Sequence, residues 1–175
     1  MNRIGAVGTI LLTLLLAGCG SAPPGSAGVR PEGVDGQLGD LRLLSVAVAS
    51  PGARGSMHIA GDDAALFLTV ANDGTAEDVL TGASAGVAQQ VVFRNGDGPP
   101  MPQLQVPVPA GDVVALRELA APHLELSGLR EALRPGGSVP VTFEFGNAGT
   151  VTLDVPIHTY TDVAVDRIPQ PLTVR

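Results

Sequence analysis

A chain of 175 residues with a formal net charge of −7, whose ten basic residues are all arginine, offers no basic stripe for a nucleic-acid backbone or for anionic lipid heads. The absence of lysine excludes Schiff-base and Walker-type lysine chemistry. Four Phe, one Tyr and no Trp leave little for an aromatic sugar- or base-stacking surface, and a single cysteine leaves no disulfide within the chain.

Residues 1–18 read as an export signal. Arg3 supplies a short positive start and Ile10 to Leu16 an apolar run, which is shorter than the roughly 20 residues a membrane-spanning helix needs. The sequence Leu16-Ala17-Gly18-Cys19 resembles the bacterial lipobox, in which the cysteine is lipidated and becomes the first residue of the mature protein. On that reading Cys19 anchors the chain to the cell membrane at its extracytoplasmic face, and the mature domain has no thiol ligand or nucleophile. Residues 19–40, rich in Gly, Ser, Ala and Pro, predict a flexible tether.

Residues 41–157 carry the folded domain. Leu41 to Ser50 is the first predicted strand, with Leu44, Val46 and Val48 alternating, and Pro51 to Gly55 breaks it. Ala65 to Asn72 follows, ended by the turn signal Asn72-Asp73-Gly74. Asp78 to Ser84 and Val87 to Arg94 are two more strands. Asn95 to Pro102 is a Gly- and Pro-rich loop containing Met101, after which Leu104, Val106 and Val108 alternate with a proline, as on an edge strand. Val113 to Arg117 comes next. His123 follows Pro122 and faces a leucine-rich turn, and Gly128 to Leu133 has a helical flavour. Val139, Val141, Phe143 and Phe145, then Val151, Leu153 and Val155, alternate around Asn147-Ala148-Gly149 and predict a hairpin with one face buried. Residues 158–175 form a C-terminal extension, in which Val163 and Val165 predict one short added strand. About eight short strands with turn residues between them predict an all-β antiparallel sandwich.

Little in this pattern supports catalysis. Gly82-Ala83-Ser84-Ala85-Gly86 is read as lacking the spacing of a Gly-x-Ser-x-Gly nucleophile elbow, Asp62-Asp63 and Asp73 fall in turns without the ligand spacing of a calcium loop, and no carboxylate pair has a glycosidase arrangement. The chain is therefore read as a non-enzyme. Methionine with histidine is the more informative combination, because thioether and imidazole ligands suit Cu(I) in a space where thiolates oxidise. Met101 and His123 are the candidates, with Met57, His58 or His158 as further donors; for His58 and His158 solvent exposure is the expected state.

The strand and turn Leu66-Phe67-Leu68-Thr69-Val70-Ala71-Asn72, the segment Asp78 to Ser84, Val106 to Gly111, Leu129 to Gly136 and the hairpin Phe143 to Pro156 resemble the periplasmic copper chaperones called PCu(A)C, and within them the lipid-anchored actinobacterial type. The resemblance implies a cupredoxin-like β-sandwich and a role in carrying Cu(I) toward an envelope cuproenzyme such as cytochrome oxidase. The family's metal motif is a His, a Met, then 21 residues, then His-x-Met. This sequence keeps Met101, the gap and His123, but Arg94 stands for the first histidine and Glu125 for the last methionine. Arginine does not ligate, and a carboxylate oxygen is a hard ligand for Cu(I). The resemblance thus implies a degenerate copper site in which Arg94 and Glu125 pair as ions. Two functions are expected: a cell-envelope binding or scaffolding lipoprotein whose partner is an envelope protein, and alternatively a Cu(I) chaperone with a cuproprotein client.

Overall fold

A computed structural model of the chain describes residues 33–51 and 57–159. The export signal, Cys19, most of the expected tether and the strand expected around Val163 and Val165 lie outside the described residues.

The predicted hairpin forms as β9 (Ser138–Phe145) and β10 (Gly149–Pro156), paired without a slip from Gly149↔Phe145 to Pro156↔Ser138. The period-2 pattern sends Val139, Val141, Phe143 and Phe145 inward, Phe143 with no exposed surface. Gly149 takes φ +95°, a left-handed value that suits a residue without Cβ, and closes the turn. The buried carboxylate of Asp78 holds that turn from beneath. It accepts main-chain N–H groups of Val79 at 2.7 Å, Asn147 at 2.9 Å and Ala148 at 2.8 Å. Burial alone would raise the Asp78 pKa, but these donors, with Gly146, outweigh it and hold it below the ordinary value. β4 (Asp78–Ala85) pairs the other edge of β9 and β6 (Val106–Val108) pairs β4, giving a four-stranded sheet ordered β10-β9-β4-β6.

The larger sheet runs β1 (Val34–Leu38), β2 (Leu41–Val48), β3 (Ala64–Asn72), β8 (Pro122–Leu129), β5 (Ala88–Asn95). β3 meets β2 along one edge, while its other edge is shared by β8 at Ala64–Leu66 and by β7 (Val113–Leu116) at Leu68–Ala71. Leu66, Leu68, Leu124, Leu126, Leu80, Val141 and Phe143 fill the space between the two sheets. The architecture is the expected antiparallel sandwich.

Among the described residues ten strands form where about eight were expected. Residues 34–38, read as the end of the tether, are β1. That strand is held by Asp35, whose Oδ1 accepts the Ser45 N–H at 2.7 Å, and by Gly36, which leaves room for Leu153. Its apolar residues, Val34 and Leu38, are only half buried, so its hydrophobic signal is weak. The helical flavour of residues 128–133 is likewise corrected. Leu129 ends β8, Leu133 forms a bridge with His58, and both leucines are buried as caps on the core. An i,i+4 leucine pair is equally available to an irregular segment that returns twice to the core. Leu104 is buried but lies ahead of β6, which is shorter than the segment predicted.

Candidate functional site

The register of β3, β8 and β5 decides which candidate residues share a face. Leu124 and Leu126 of β8 stand opposite Phe93 and Val91 of β5 and point into the core. The intervening residues therefore line the outer face of this sheet: His123 opposite Arg94, and Glu125 opposite both Val92 and Ala65. Phe67 of β3 joins them, its ring edge-on to His123 at 6.4 Å between centroids.

His123 is 2% exposed. Its Nδ1 lies 2.9 Å from the Ala121 carbonyl, an acceptor, so Nδ1 carries the proton and Nε2 presents a lone pair. Nε2 makes no hydrogen bond with the described residues, and His123 is among the residues that line a cleft on this face. Beside it Arg94 Nη2 donates to Glu125 Oε1 at 2.7 Å, the ion pair expected of these two positions, and Nη1 donates to the Gly98 carbonyl at 3.0 Å. Arg94 Nε is buried with no partner. The bond to Glu125 raises the Arg94 pKa; burial opposes the shift, and the charges of Glu125, Asp63 and Asp97 add to it. The guanidinium is thus held as a cation among carboxylates.

Met101 lies elsewhere. Its main chain bridges Phe93 on the outer edge of β5, through N–H···O contacts of 2.8 and 2.9 Å. Residues opposed in this way share a face, so Met101 follows Phe93 toward the core side, 44% exposed, while Arg94 and His123 take the other side. β5 separates Met101 from His123, and Met101 does not line the cleft. The 21-residue spacing therefore does not bring the two retained motif residues together.

His58 and His158 differ from the expected exposure. His58 is 7% exposed; its main chain is bridged to Leu133, and its Nε2 lies 2.8 Å from the Ala49 carbonyl. His158 is half-buried and its main-chain N–H donates to Val48. Met57 is half-buried and lines the cleft with His58. The cleft itself is an open trough of about 780 Å³ over this sheet face, walled by residues 49–51, 57–58, 62–63 and 96–97 and by Leu119. Its carboxylates are Asp62, Asp63, Asp97 and Glu125; among the described residues Arg94 is its only fixed cation. Among the described residues no three His, Cys, Asp or Glu side chains cluster as a metal site.

Gly82-Ala83-Ser84-Ala85-Gly86 does have the spacing of a Gly-x-Ser-x-Gly elbow, but Ser84 lies within β4, opposite Thr142 of β9, rather than on a strand-to-helix turn. It is a ladder residue.

The model of the LpqE-like family, described as that of a lipoprotein, matches residues 44–157. The chain belongs to the LpqE-like family. No curated protein matches it. Among solved structures, the copper-bound PCuAC domain from PmoF2 is similar with a TM-score of 0.59 at 19% identity, over 72% of this chain and 98% of that one. The apo PCuAC domain from PmoF1 gives 0.58 at 17%, over 72% and 99%. Apo-DR1885 from Deinococcus radiodurans gives 0.51 at 18%, over 81% and 93%. These likenesses establish the PCuAC, cupredoxin-like fold for this LpqE-like chain.

Two features of the site escaped sequence reasoning. One is Asp63, whose Oδ1 accepts the Gly128 N–H at 2.8 Å and which shares the cleft with Glu125. The other is the face assignment of Met101. Both depend on long-range pairing with no local signal; the alternation His123/Glu125/Ser127 against Leu124/Leu126 marks only the shared face of His123 and Glu125.

Proposed function

We propose that this LpqE-like chain is a non-catalytic binding module at the extracytoplasmic face of the cell membrane, anchored through Cys19, which keeps the PCuAC sandwich while an ion pair occupies its metal positions. The anchoring is supported by residues 1–19 and by the family's description as lipoproteins. The observation that carries the functional reading is the Arg94–Glu125 pair at 2.7 Å, with Met101 turned to the other face. A guanidinium beside His123 repels a cuprous ion, and the carboxylate it binds is a hard donor. Competition for Cu(I) against a chromophoric chelator tests this reading. The chain is expected to lose the metal to the chelator, and a one-to-one complex that survives competition overturns it.

A second reading, a Cu(I) carrier for an envelope cuproprotein, is favoured by His123, whose Nδ1 is held by the Ala121 carbonyl so that Nε2 is the ring nitrogen left for a metal, and by Met57, which lines the same cleft. The copper held by the PmoF2 domain is consistent with it. On this reading His123→Ala and Met57→Ala weaken Cu(I) binding and Met101→Ala does not.

A further inference from the structure

Residues 98–111 carry no charged side chain, in a chain whose net charge is −7. Within that run Pro99, Pro100, Met101, Pro102 and Gln103 are all exposed, Met101 at 44%. The segment is nonetheless held along its length. Ahead of it the Gly98 N–H donates to the Asn95 carbonyl at 3.0 Å, and the Gly98 carbonyl accepts Arg94 Nη1 at 3.0 Å. In its middle Met101 bridges Phe93 through both of its main-chain groups. Beyond it Leu104 and Val106 are buried in the core. Covalent geometry adds to these ties. A proline fixes its own φ and disfavours the helical region for the residue before it, so Pro99 ahead of Pro100 and Met101 ahead of Pro102 are biased to extended backbone. A bend at Pro102 and Gln103 ends the run. The outer edge of β5 thus displays a short, pre-formed ridge of three pyrrolidine rings and one thioether side chain.

We propose that this ridge docks into an aromatic-lined groove of a partner protein. The inference rests on the binding-module reading and names its surface and the chemistry of its partner. Strand addition does not suit the ridge, because its three prolines have no N–H and Met101 gives both main-chain groups to Phe93. Ionic docking does not suit it either, because the run is uncharged. What it offers is the Pro-x-x-Pro spacing, Pro99 to Pro102, which places two rings one polyproline turn apart. Grooves lined with Trp and Tyr bind such segments by packing rings against the aromatic faces. The ordering that an unfolded proline-rich ligand undergoes on binding is already complete here, which lowers the cost of association. Met101, which the copper motif no longer uses, supplies the adaptable apolar contact between those rings.

The test uses the full chain carrying carbon-13 at its methionine methyl groups. It is titrated with a WW domain selected for Pro-Pro-x-Pro ligands, beside a variant of that domain whose groove tryptophan is replaced by alanine. The Met101 methyl signal is expected to move upfield under the aromatic rings and to saturate, while the Met57 methyl stays in place. The affinity should be the same at low and physiological salt, as an uncharged contact requires. The double variant Pro99→Ala, Pro102→Ala should weaken binding by about tenfold or more. Both side chains are exposed, so their truncation leaves the core intact, and far-UV circular dichroism checks the fold. Asp154→Asn, on β10 of the other sheet, should change nothing. An unmoved Met101 signal, an equal response to the alanine domain, or undiminished binding by the double variant overturns the proposal. The first two of these readouts need no variant of the chain. A Met101 signal that responds to phosphatidylcholine vesicles and not to the domain also overturns it, and assigns the ridge to a lipid surface. Copper retention is read in a separate competition, so failure of the module reading and failure of the ridge assignment are distinguishable.

Discussion

Removing the Asp78 carboxylate offers the sharpest test of how the smaller sheet is held. Its two oxygens accept three main-chain N–H groups at 2.7 to 2.9 Å, joining the start of β4 to the β9–β10 turn across some seventy residues of sequence. A hydrogen bond to a charged group contributes about 1.5–3 kcal/mol net, so simple addition over three would give about 5–9 kcal/mol. Asn147 is exposed and Ala148 half-buried, however, so water satisfies those donors once the carboxylate is gone. Asp78→Ala should therefore cost about 3 kcal/mol, or roughly 10 °C in Tm. Asp78→Asn keeps one acceptor oxygen and should cost about half as much. Urea unfolding followed by far-UV circular dichroism measures both, which suits a chain without tryptophan. The pH dependence follows in sign. The folded-state pKa lies below the ordinary 3.8, so the contribution is complete above that value and disappears as pH falls through the folded pKa. The stability gap between the parent and Asp78→Asn should hold near pH 6 and close as pH falls below 3.8 through the folded-state pKa. An Asp78→Ala variant within about 0.5 kcal/mol of the parent, or a gap that widens in acid, would refute the reasoning.

Two further perturbations address the site and the first strand. Glu125→Ala should cost about 2 kcal/mol because it strands a partly buried guanidinium, and a double-mutant cycle with Arg94→Ala should return a coupling of about 1–2 kcal/mol; additivity within error would mean the pair contributes nothing. A Cβ on Gly36 would come within 2.6 Å of the Leu153 side chain, so Gly36→Ala should lower stability by about 1–2 kcal/mol and Leu153→Ala should relieve part of that loss, as thermal unfolding of the single and double variants will tell.

The hairpin, β3 and β4 were legible because strict alternation and turn residues coincide there, as in Val139 to Phe145. β1 was not legible. Only Val34 and Leu38 mark it, and what holds it, an Asp35 bond to Ser45 and a glycine against Leu153, is tertiary. β8 was missed for a different reason: Leu126, Leu129 and Leu133 carry helical spacing that competes with the period of two, and only pairing with β3 and β5 resolves it. The same pairing governs the site. The sequence distance from Met101 to His123 is preserved, but distance along the chain does not report which side of a strand a residue occupies. One edge bridge at Phe93 sends Met101 away from His123. The Arg94–Glu125 contact was legible because both residues stood at positions that the resemblance places in a single site.

The short strand β6 bears on how copies of the protein coexist at a surface. It is the outer strand of its sheet, three residues long with Pro107 at its centre and Pro109 after it, and the Val108 carbonyl is already taken by Asn72 Nδ2 at 3.0 Å. Such an edge has almost no ladder left to offer a neighbour. Under the proposed anchoring through Cys19, many copies would be concentrated in one plane, which raises the chance that exposed sheet edges stack, and on this side of the sandwich that route to aggregation is closed.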